Sequence, residues 1–386
     1  MTLSPSLQHL LDEFATMAEK SLLAINTAQS AGQKVVGIYC IFAPVEIIRA
    51  AGAIPVGLCG KKVEPIAAAE VELPANLCPL IKASYGYAIT GTCPFFLAAD
   101  ALVGETTCDG KKKMYEVLGR LKPMHVMHLP HGPDRVQAQH FWRAEIDSFV
   151  DFLQDLTGCR ITSDALQAQI RIHNRVRRLM RTLHSVNSTP KGVCLSSGAL
   201  LPLLEAKNYW PDLNDYAIRL EHLIQAITNK SSSTTQVHDG RARILLTGTP
   251  LGKGSDKVLR LLEASGAVVV GMENCTDLKS SWTEVDETDL DPLNAIARRY
   301  LALPCACMTP NNGRLALIDQ LIEGSQVDGV VDLTWHACHT YMIEATTIRR
   351  HIENFHQLPI LHLSTDYGEN DVESLRTRIE AFLEMI

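Results

Sequence analysis

The sequence lacks the features that mark several common classes of protein. No run of 18 apolar residues occurs, which argues against a helix that crosses a bilayer. The formal net charge of −7, with 20% charged residues, gives no reason to expect nucleic acid or a membrane surface as a partner. The first residues contain early acidic side chains and no apolar signal core, so we expect a cytoplasmic protein.

The 11 cysteines include no C-x-x-C pair, which argues against zinc ribbons and thioredoxin-type chemistry. Their odd number, in a chain without an export signal, also argues against a disulfide framework. Free cysteines are often small buried side chains, and packing is the simplest expectation for each one taken alone. At 386 residues the chain is long enough for two or three domains with ordinary cores.

No intact nucleotide-binding loop occurs, although residues 103–113 (VGETTCDGKKK) come close. Five residues separate Gly104 from Gly110, where the phosphate-binding loop has four, and Lys112 stands where that motif needs Ser or Thr. Cys108 lies where the phosphate would be held. The loop therefore raises the question of which anion it binds, if not a nucleotide.

A second near match, residues 247–257 (TGTPLGKGSDK), follows a predicted strand. Three residues separate Gly248 from Gly252, and Gly254 stands where Ser or Thr is required. The segment is either an anion-binding turn at the start of a helix or a tight strand–helix connection. Both structures fit the sequence.

Short apolar runs alternate with helical patterns in both halves of the chain, which is typical of α/β domains with parallel sheets. Strands are predicted at residues 34–39, 54–58, 100–104, 125–129, 243–248, 267–271, 329–333 and 359–363. Helices are predicted at residues 5–31, 44–51, 66–73, 141–156, 165–184, 216–227, 256–266, 291–302, 314–324, 340–355 and 372–386.

No strand is predicted between residues 135 and 228, and the polar, breaker-rich stretch 229–242 is the best candidate boundary. We therefore expect two doubly wound parallel-sheet domains, of the Rossmann or flavodoxin-like kind, at residues 1–134 and 241–386. A helical connector, residues 135–240, joins them.

Cysteines concentrate at the predicted edges of the sheets. Five of them lie at, or just beyond, the carboxyl ends of predicted strands, namely Cys40, Cys59, Cys108, Cys275 and Cys338. Ligands bind at the carboxyl ends of strands in open α/β sheets, and randomly placed packing cysteines have no reason to favour that edge. The pattern therefore favours a thiolate-ligated group over packing.

Four more cysteines lie in loops. Cys78 and Cys93 each precede a proline, which predicts a helix start with free N–H groups and a dipole that favours an anion. Cys305 and Cys307 lie in one loop. Iron–sulfur clusters need soft thiolate ligands, and nine candidates suffice for one cubane or for two with three ligands each. A zinc site is a weaker interpretation, because no two cysteines have the short paired spacing of zinc ligands. The remaining Cys159 and Cys194 are assigned to packing.

A cluster would also explain the loop at residues 103–113. Gly110 and the helix start would face the negative charge of the cluster, and Lys111 to Lys113 would add positive potential. Alternatively, the lysines form a solvated helix start. An exposed run could dock an electron donor.

Five segments together resemble the 2-hydroxyacyl-CoA dehydratase and benzoyl-CoA reductase subunit family over nearly the whole chain. They are residues 37–56, 76–86 (NLCPLIKASYG), 100–116 (DALVGETTCDGKKKMYE), 327–341 (VDGVVDLTWHACHTY) and 359–367 (PILHLSTDY). The additional cysteines make the chain most similar to the branch of double-cubane cluster proteins.

The resemblance implies a 4Fe–4S cubane bound by Cys78, Cys108 and Cys338. In the double-cubane branch a second cubane is joined to the first by a sulfide, giving an 8Fe–9S centre. Its ligands here would be the cysteines Cys93 and Cys275 with either Cys305 or Cys307. Cys40 and Cys59 are reserve candidates. The resemblance also implies a homodimer and an ATP-hydrolysing iron–sulfur activator protein as electron donor.

Two histidines flank one of these cysteines. His336 and His339 lie on either side of Cys338, and we expect His339 to supply a proton or a hydrogen bond, although a structural role is an alternative. Further polar residues near predicted strand ends are His125, His128 and His131, which fit a polar cluster better than a metal site, and Glu46 and Glu105, which are candidates for supporting roles.

The leading hypothesis is an iron–sulfur reductase that uses a double cubane to reduce a small unsaturated molecule. The first alternative is a 2-hydroxyacyl-CoA dehydratase-like subunit with one 4Fe–4S cluster, a partner subunit of the same fold and a CoA site. The second alternative is an electron-transfer or cluster-storage protein, which would reduce no substrate.

Overall fold

The computed structural model describes residues 5–190, 192–233 and 240–386. Its amino-terminal half contains a four-stranded parallel sheet with the order β2-β1-β3-β4. The strands are β1 (Val35–Ile38), β2 (Ile54–Gly57), β3 (Ala101–Glu105) and β4 (Met124–Met127). β1 and β3 are buried along their whole length because helices cover both faces of the sheet, which explains their uninterrupted apolar runs.

Seven helices precede, follow and connect these strands. They are α1 (Pro5–Ala15), α2 (Met17–Ser30), α3 (Val45–Ala50), α4 (Ile66–Ala69), α5 (Pro79–Thr90), α6 (Pro94–Ala98) and α7 (Asp109–Leu118). The single helix predicted at residues 5–31 is wrong, because the chain breaks at Thr16. Its hydroxyl donates to the carbonyl of Glu13 at 3.0 Å, a local bond that competes with the helical pattern.

The middle of the chain is mainly helical. Its elements are α8 (Val136–Thr157), α9 (Ser163–Asn187), β5 (Ser188–Thr189), β6 (Gly192–Val193), α10 (Ser197–Ala206) and α11 (Leu213–Ser233). The expectation that this segment contains no strand is wrong, since β5 and β6 pair in an antiparallel hairpin. Two-residue strands are too short to show an alternating pattern.

Helix α10 was not predicted, because it is apolar almost all round and therefore shows no helical period. The predicted boundary at residues 229–242 begins inside α11, and residues 234–239 of it lie outside the described residues. The division of the chain at residues 134/135 and 240/241 stays a prediction.

The carboxyl-terminal half contains a second four-stranded parallel sheet with the order β10-β9-β7-β8. Its strands are β7 (Arg243–Gly248), β8 (Val268–Glu273), β9 (Gly329–Trp335) and β10 (Ile360–Thr365). Its helices are α12 (Lys257–Ala264), α13 (Leu278–Ser281), α14 (Pro292–Leu301), α15 (Asn312–Ser325), α16 (His339–His351) with a π-helical turn (Ile352–His356), and α17 (Val372–Leu383).

The two sheets confirm the predicted α/β fold class and all eight predicted strands. In each sheet successive strands are first added on one side of the first strand and then on the other. This switch in strand order lies between β1 and β3 and between β7 and β9. Such switch points are where open α/β sheets bind ligands. One core cluster includes residues from both sheets, for example Val35, Leu102, Leu246 and Val331, so the two halves pack together.

Among the described residues, no helix combines the length and the apolar character that crossing a membrane requires.

Candidate functional site

The loops that follow the strands of the two sheets enclose one large cavity. Cys40 and Cys59 enter it from the ends of β1 and β2, and Cys275 enters it after β8. Cys93 lies in its wall. The cavity has a volume of about 590 Å³, and its walls come from both halves and from the helical middle of the chain.

Four cysteines occupy the N-cap positions of helices: Cys78 (α5), Cys93 (α6), Cys108 (α7) and Cys338 (α16). A helix N-terminus offers backbone N–H groups and the positive end of a dipole. The Lys111 N–H group donates to the Cys108 sulfur at 3.5 Å. These positions favour thiolates, and they confirm the helix starts predicted at the two Cys-Pro pairs.

Cys78 and Cys338 meet although they come from opposite halves of the chain. The neighbouring thiol of Cys338 lowers the pKa of Cys78, and the thiol of Cys78 in turn raises the pKa of Cys338. Cys108 lies close enough to interact electrostatically with both thiols. Its pKa is raised by burial, with a further increase from Cys338, while Lys111 opposes the shift. Together the three thiols form a set that joins both sheets.

A second set of cysteines surrounds Cys305. The neighbouring Cys307 thiol lowers the pKa of Cys305 to about 6, and Cys305 in turn raises the pKa of Cys307. Burial raises the pKa of Cys40, and so do the nearby Glu105 carboxylate and the Cys305 and Cys275 thiols, while Lys111 opposes the increase.

Cys275 belongs to the same set. Burial raises the pKa of Cys275 to about 11, with a contribution from Cys305, while Lys279 opposes the increase. The Cys93 thiol has other neighbours. Burial raises its pKa, while the N–H groups of Phe96 and Phe95 at the start of α6 oppose the increase.

The lysines of residues 111–113 point in different directions. Lys111 turns inward, lines the cavity and donates from Nζ to the carbonyl of Tyr39 at 3.1 Å. Cys59 donates to the same carbonyl at 3.0 Å. Lys112 and Lys113 are exposed and pair with carboxylates of their own helix. The solvated alternative therefore holds for these two lysines and not for Lys111.

Gly110 lies in the first turn of α7, packed against Ile81 of α5. A Cβ atom there would approach Ile81 Cδ1 to 2.5 Å. The glycine therefore allows α7 to lie close to α5, and it keeps the N-caps Cys78 and Cys108 together.

A buried network of charges, which the sequence patterns did not predict, lies behind Cys275. Glu273, at the end of β8, pairs with Lys279 at 2.9 Å and with Arg314 at 3.1 Å, and all three side chains are inaccessible to solvent. Lys279 also donates to the Tyr341 hydroxyl at 2.9 Å. A glutamate that ends the apolar run of β8 is the one signal that could have found it, since a buried carboxylate needs cationic partners.

Glu46 and Glu105 are both fully buried but differ in their partners. Glu46 contacts Arg177 at 2.5 Å and accepts a hydrogen bond from the Tyr300 hydroxyl at 2.6 Å. Both carboxylate oxygens of Glu105 have no hydrogen-bond partner among the described residues. Burial raises the pKa of Glu105 to about 8, although Lys111 opposes this.

The histidines beside Cys338 are both exposed. His339 opens α16, and His336 has its Nδ1 4.0 Å from Asp366 Oδ2. Neither histidine is among the described residues that line the cavity. His339 therefore lies next to a candidate ligand but faces solvent.

The histidines at residues 125, 128 and 131 do not converge. His125 stacks on Phe149 and Phe152, with ring centroids 5.4 and 4.8 Å away, and burial lowers the pKa of His125 to about 4. His131 Nε2 contacts the Thr106 carbonyl at 3.1 Å. Their contacts are structural.

The loop at residues 247–257 connects β7 to α12, and its backbone donors already have partners. The N–H group of Lys253 donates to Glu205 at 3.2 Å, and that of Gly252 donates to Ser255 at 3.1 Å. A protein carboxylate thus occupies the position an anion would take. This arrangement favours the tight strand–helix connection.

The assignment of two cysteines to packing holds for one of them. Cys194 is buried, whereas Cys159 is exposed, so its assignment to packing is wrong. Cys159 directly follows Gly158, whose left-handed conformation ends α8 at the surface.

Comparison with known proteins identifies the family. Residues 40–386 match the family of 2-hydroxyglutaryl-CoA dehydratase, D-component. The chain is 39% identical to the candidate dehydratase subunit YjiM of Escherichia coli (strain K12), over 386 residues and 100% of both chains.

Two named dehydratase subunits are more distant. The (R)-phenyllactyl-CoA dehydratase beta subunit of Clostridium sporogenes is 20% identical over 93% of both chains. The beta subunit of (R)-2-hydroxyglutaryl-CoA dehydratase of Acidaminococcus fermentans is 21% identical over 98% of this chain and 99% of its own. The chain belongs to this family, whose relatives include 2-hydroxyacyl-CoA dehydratase and benzoyl-CoA reductase subunits.

Proposed function

We propose that this chain is an iron–sulfur reductase, which uses electrons from an ATP-hydrolysing activator protein to reduce a small unsaturated molecule. The observation that carries the proposal is that the thiols of Cys78 and Cys338, one from each half of the chain and each at a helix N-cap, lie close enough to shift each other's pKa. Packing alone gives no reason for two helix N-caps to bring thiols together.

The donor set fits an iron–sulfur group. Cubanes take three or four thiolate ligands, and their sulfides accept hydrogen bonds from N–H groups. The first set, Cys78, Cys108 and Cys338, offers three thiols at helix N-termini. We propose that these three hold one cubane.

For the second cubane we propose Cys275, Cys305 and Cys40. Cys305 has the lower pKa of its pair because the neighbouring Cys307 thiol stabilises its thiolate, and a thiolate is the ligand form. Cys40 is preferred to Cys93, the ligand expected from the resemblance, because the Cys275 and Cys305 thiols both act on Cys40. Cys307 would then support the thiolate of Cys305.

A bound double cubane would supply electrons of low potential, one at a time. The protein's own residues would hold it and balance its charge. Lys111 brings a buried cation to the cavity beside Cys40 and Cys108, and Lys279 brings another beside Cys275. We propose that His339, exposed next to Cys338, exchanges protons with solvent during reduction.

The experiment is a count of iron and acid-labile sulfide in protein purified without oxygen. The wild type is expected to hold about eight irons and about nine sulfides per chain. Cys78→Ser, Cys108→Ser, Cys275→Ser, Cys305→Ser and Cys40→Ser should each lose about half of the iron. Cys93→Ser and Cys307→Ser should lose little.

Cys194→Ser is the matched control, because Cys194 is buried like Cys78 and Cys305 but belongs to neither set. Reduction of small unsaturated molecules with activator and ATP is measured on the same samples. His339→Gln should lower the rate while keeping the iron, and His336→Gln should not. A wild type without iron, even after anaerobic reconstitution, would overturn the proposal.

The second candidate is a 2-hydroxyacyl-CoA dehydratase-like subunit with one 4Fe–4S cluster. The names of the distant relatives favour it, since two are beta subunits of such dehydratases. It predicts about four irons per chain, lost on substitution of Cys78 and kept on substitution of Cys275. It also predicts copurification with a partner subunit, whereas the reductase is proposed to be a homodimer.

A further inference from the structure

Helices α15 and α16 carry a group of metal-ligating side chains away from the cysteines. The two helices pack in one core cluster with strands of the second sheet, through Leu317, Ile318 and Leu321 of α15 and Ile348 of α16. Cys338 lies at the start of α16, and the group lies at its end. Thirteen helical residues separate these points by about 20 Å.

The group consists of Asp319, His351 and His356. His351 Nε2 is 2.6 Å and His356 Nε2 is 2.7 Å from the same atom, Asp319 Oδ1. The histidine side chains are only 15% and 13% exposed. Among the described residues, no other group of three His, Cys, Asp or Glu side chains brings its ligand atoms within 4.8 Å of one another.

The convergence of the two histidines depends on a π-helical turn. Residues five apart on an α-helix point about 140° away from each other, because one turn takes 3.6 residues. The turn Ile352–His356 has the wider i→i+5 pattern, which brings His356 under His351. π-helical turns are rare and frequently mark functional sites. Gln357, at a φ of 55°, ends the turn in a conformation that side chains seldom adopt.

We propose that Asp319, His351 and His356 bind a divalent transition-metal ion, with zinc as the best match. Two imidazole nitrogens and one carboxylate oxygen form a common zinc ligand set, and a water molecule completes four-coordination. The ring of His351 packs against the Phe355 ring in a tilted arrangement, with centroids 4.8 Å apart, which limits its rotation. The ion would clip α15 to the π-helical turn, independently of any cluster at the cysteines.

The alternative is a purely hydrogen-bonded group, in which one carboxylate oxygen accepts from two neutral imidazoles. Asp319→Asn separates the two cases. The amide oxygen accepts the same two hydrogen bonds, but an amide is a far poorer zinc ligand than a carboxylate. The variant therefore keeps the hydrogen-bonded group and loses the metal site.

The test uses full-length protein that was purified without oxygen and loaded with iron and sulfide, so that the cysteines are occupied. Samples are stripped with a mild chelator, equilibrated with zinc, and analysed for zinc and iron per chain. X-ray absorption at the zinc edge identifies the ligand atoms. The wild type is expected to hold one more zinc per chain than Asp319→Asn, with nitrogen and oxygen ligands only.

The double variant His351→Gln/His356→Gln should lose the same zinc. The control is His362→Gln, which removes a histidine paired with a single carboxylate, Asp332, at 2.9 Å, and should keep the zinc. Equal zinc in the wild type and Asp319→Asn, or sulfur among the zinc ligands, would overturn the inference. Because the iron count is read separately, loss of iron alone bears on the cysteines and not on this site.

Discussion

At the scale of the residue, Glu46 and Glu105 show how partners decide the behaviour of a buried carboxylate. Burial opposes ionisation of Glu46, but Arg177, His173 and other neighbours outweigh it and lower the pKa of Glu46 to about 2. Burial raises the pKa of Glu105 to about 8 because no neighbour compensates fully. The first glutamate therefore stabilises the fold as an anion, and the second is tolerated as a neutral acid.

Glu105→Gln is expected to stabilise the protein in alkaline solution. The pKa of Glu105 is raised in the folded state, so the folded chain binds a proton that the unfolded chain releases above pH 4.5. Stability then falls as pH rises from about 4.5 towards 8. The substitution removes this loss, so at pH 8 the variant gains up to ~4 kcal/mol and at pH 4 almost nothing. Denaturant unfolding of cluster-free protein at both pH values measures the effect.

Glu46→Gln is the matched comparison and should behave in the opposite way. The lowered pKa of Glu46 gives stability that is present above pH 4.5 and lost as pH falls towards 2. This variant should be less stable than the wild type at pH 8, because Arg177 loses its charged partner. A Glu105→Gln variant whose stability equals that of the wild type at pH 8 as well as at pH 4 would contradict the environment assigned to Glu105.

At the scale of the element, charges connect the end of β8 to three helices. Glu273 of β8 pairs with Lys279 of α13 and with Arg314 of α15, and Lys279 reaches Tyr341 of α16. α16 also carries Cys338 at its N-cap. The network therefore positions the helices that carry or face the cysteines.

Lys279→Met should destabilise the protein by about 3 kcal/mol. Removing one partner from a buried ion pair leaves part of the charge on Glu273 uncompensated, which is costly in a medium of low polarity. Arg314 still faces Glu273, which limits the effect. The midpoint of denaturant unfolding at neutral pH measures it.

Lys113→Met is the matched control, because Lys113 pairs with Glu116 at the surface, where its side chain is 68% exposed. Surface pairs contribute about 0–1 kcal/mol, so this variant should unfold close to the wild type. Equal stability of Lys279→Met and Lys113→Met would mean that the buried network does not hold the helices.

At the scale of the whole molecule, contacts join the two halves to each other and to the helical middle. The Tyr367 hydroxyl of the carboxyl-terminal half donates to the Gly60 carbonyl at 3.1 Å. Lys61 pairs with Glu205 of α10, in the helical middle, at 2.9 Å. The pair of Cys78 and Cys338 adds a link directly at the proposed cluster site. A cluster bound there would crosslink both halves.

Removal of the cluster should therefore lower the melting temperature of the whole chain. A group that binds only the folded state stabilises it by mass action, and ligands from both halves make that effect global. Chelation without oxygen is expected to lower the melting temperature by roughly 5 °C or more, as measured by calorimetry. The melting temperature of Cys194→Ser should fall as much as that of the wild type. That of Cys338→Ser should fall much less, since this variant binds less iron. Equal losses in Cys338→Ser and the wild type would contradict a crosslink through the first set.

The sequence by itself determined the two parallel sheets, the strand positions and the concentration of cysteines at strand ends and before helix prolines. These features are local, because apolar runs, prolines and glycines act on residues close in the chain. Predictions failed where the signal was short or uniform, as in the hairpin of β5 and β6 and in α10.

Only the tertiary structure decided which residues meet. The close approach of Cys78 to Cys338 and the buried pairs of Glu273 join residues far apart in the chain. The convergence of His351 and His356 on Asp319 depends on an irregular helix. Local pattern contains no information on such contacts, because packing of whole elements and the cost of burying charge select them.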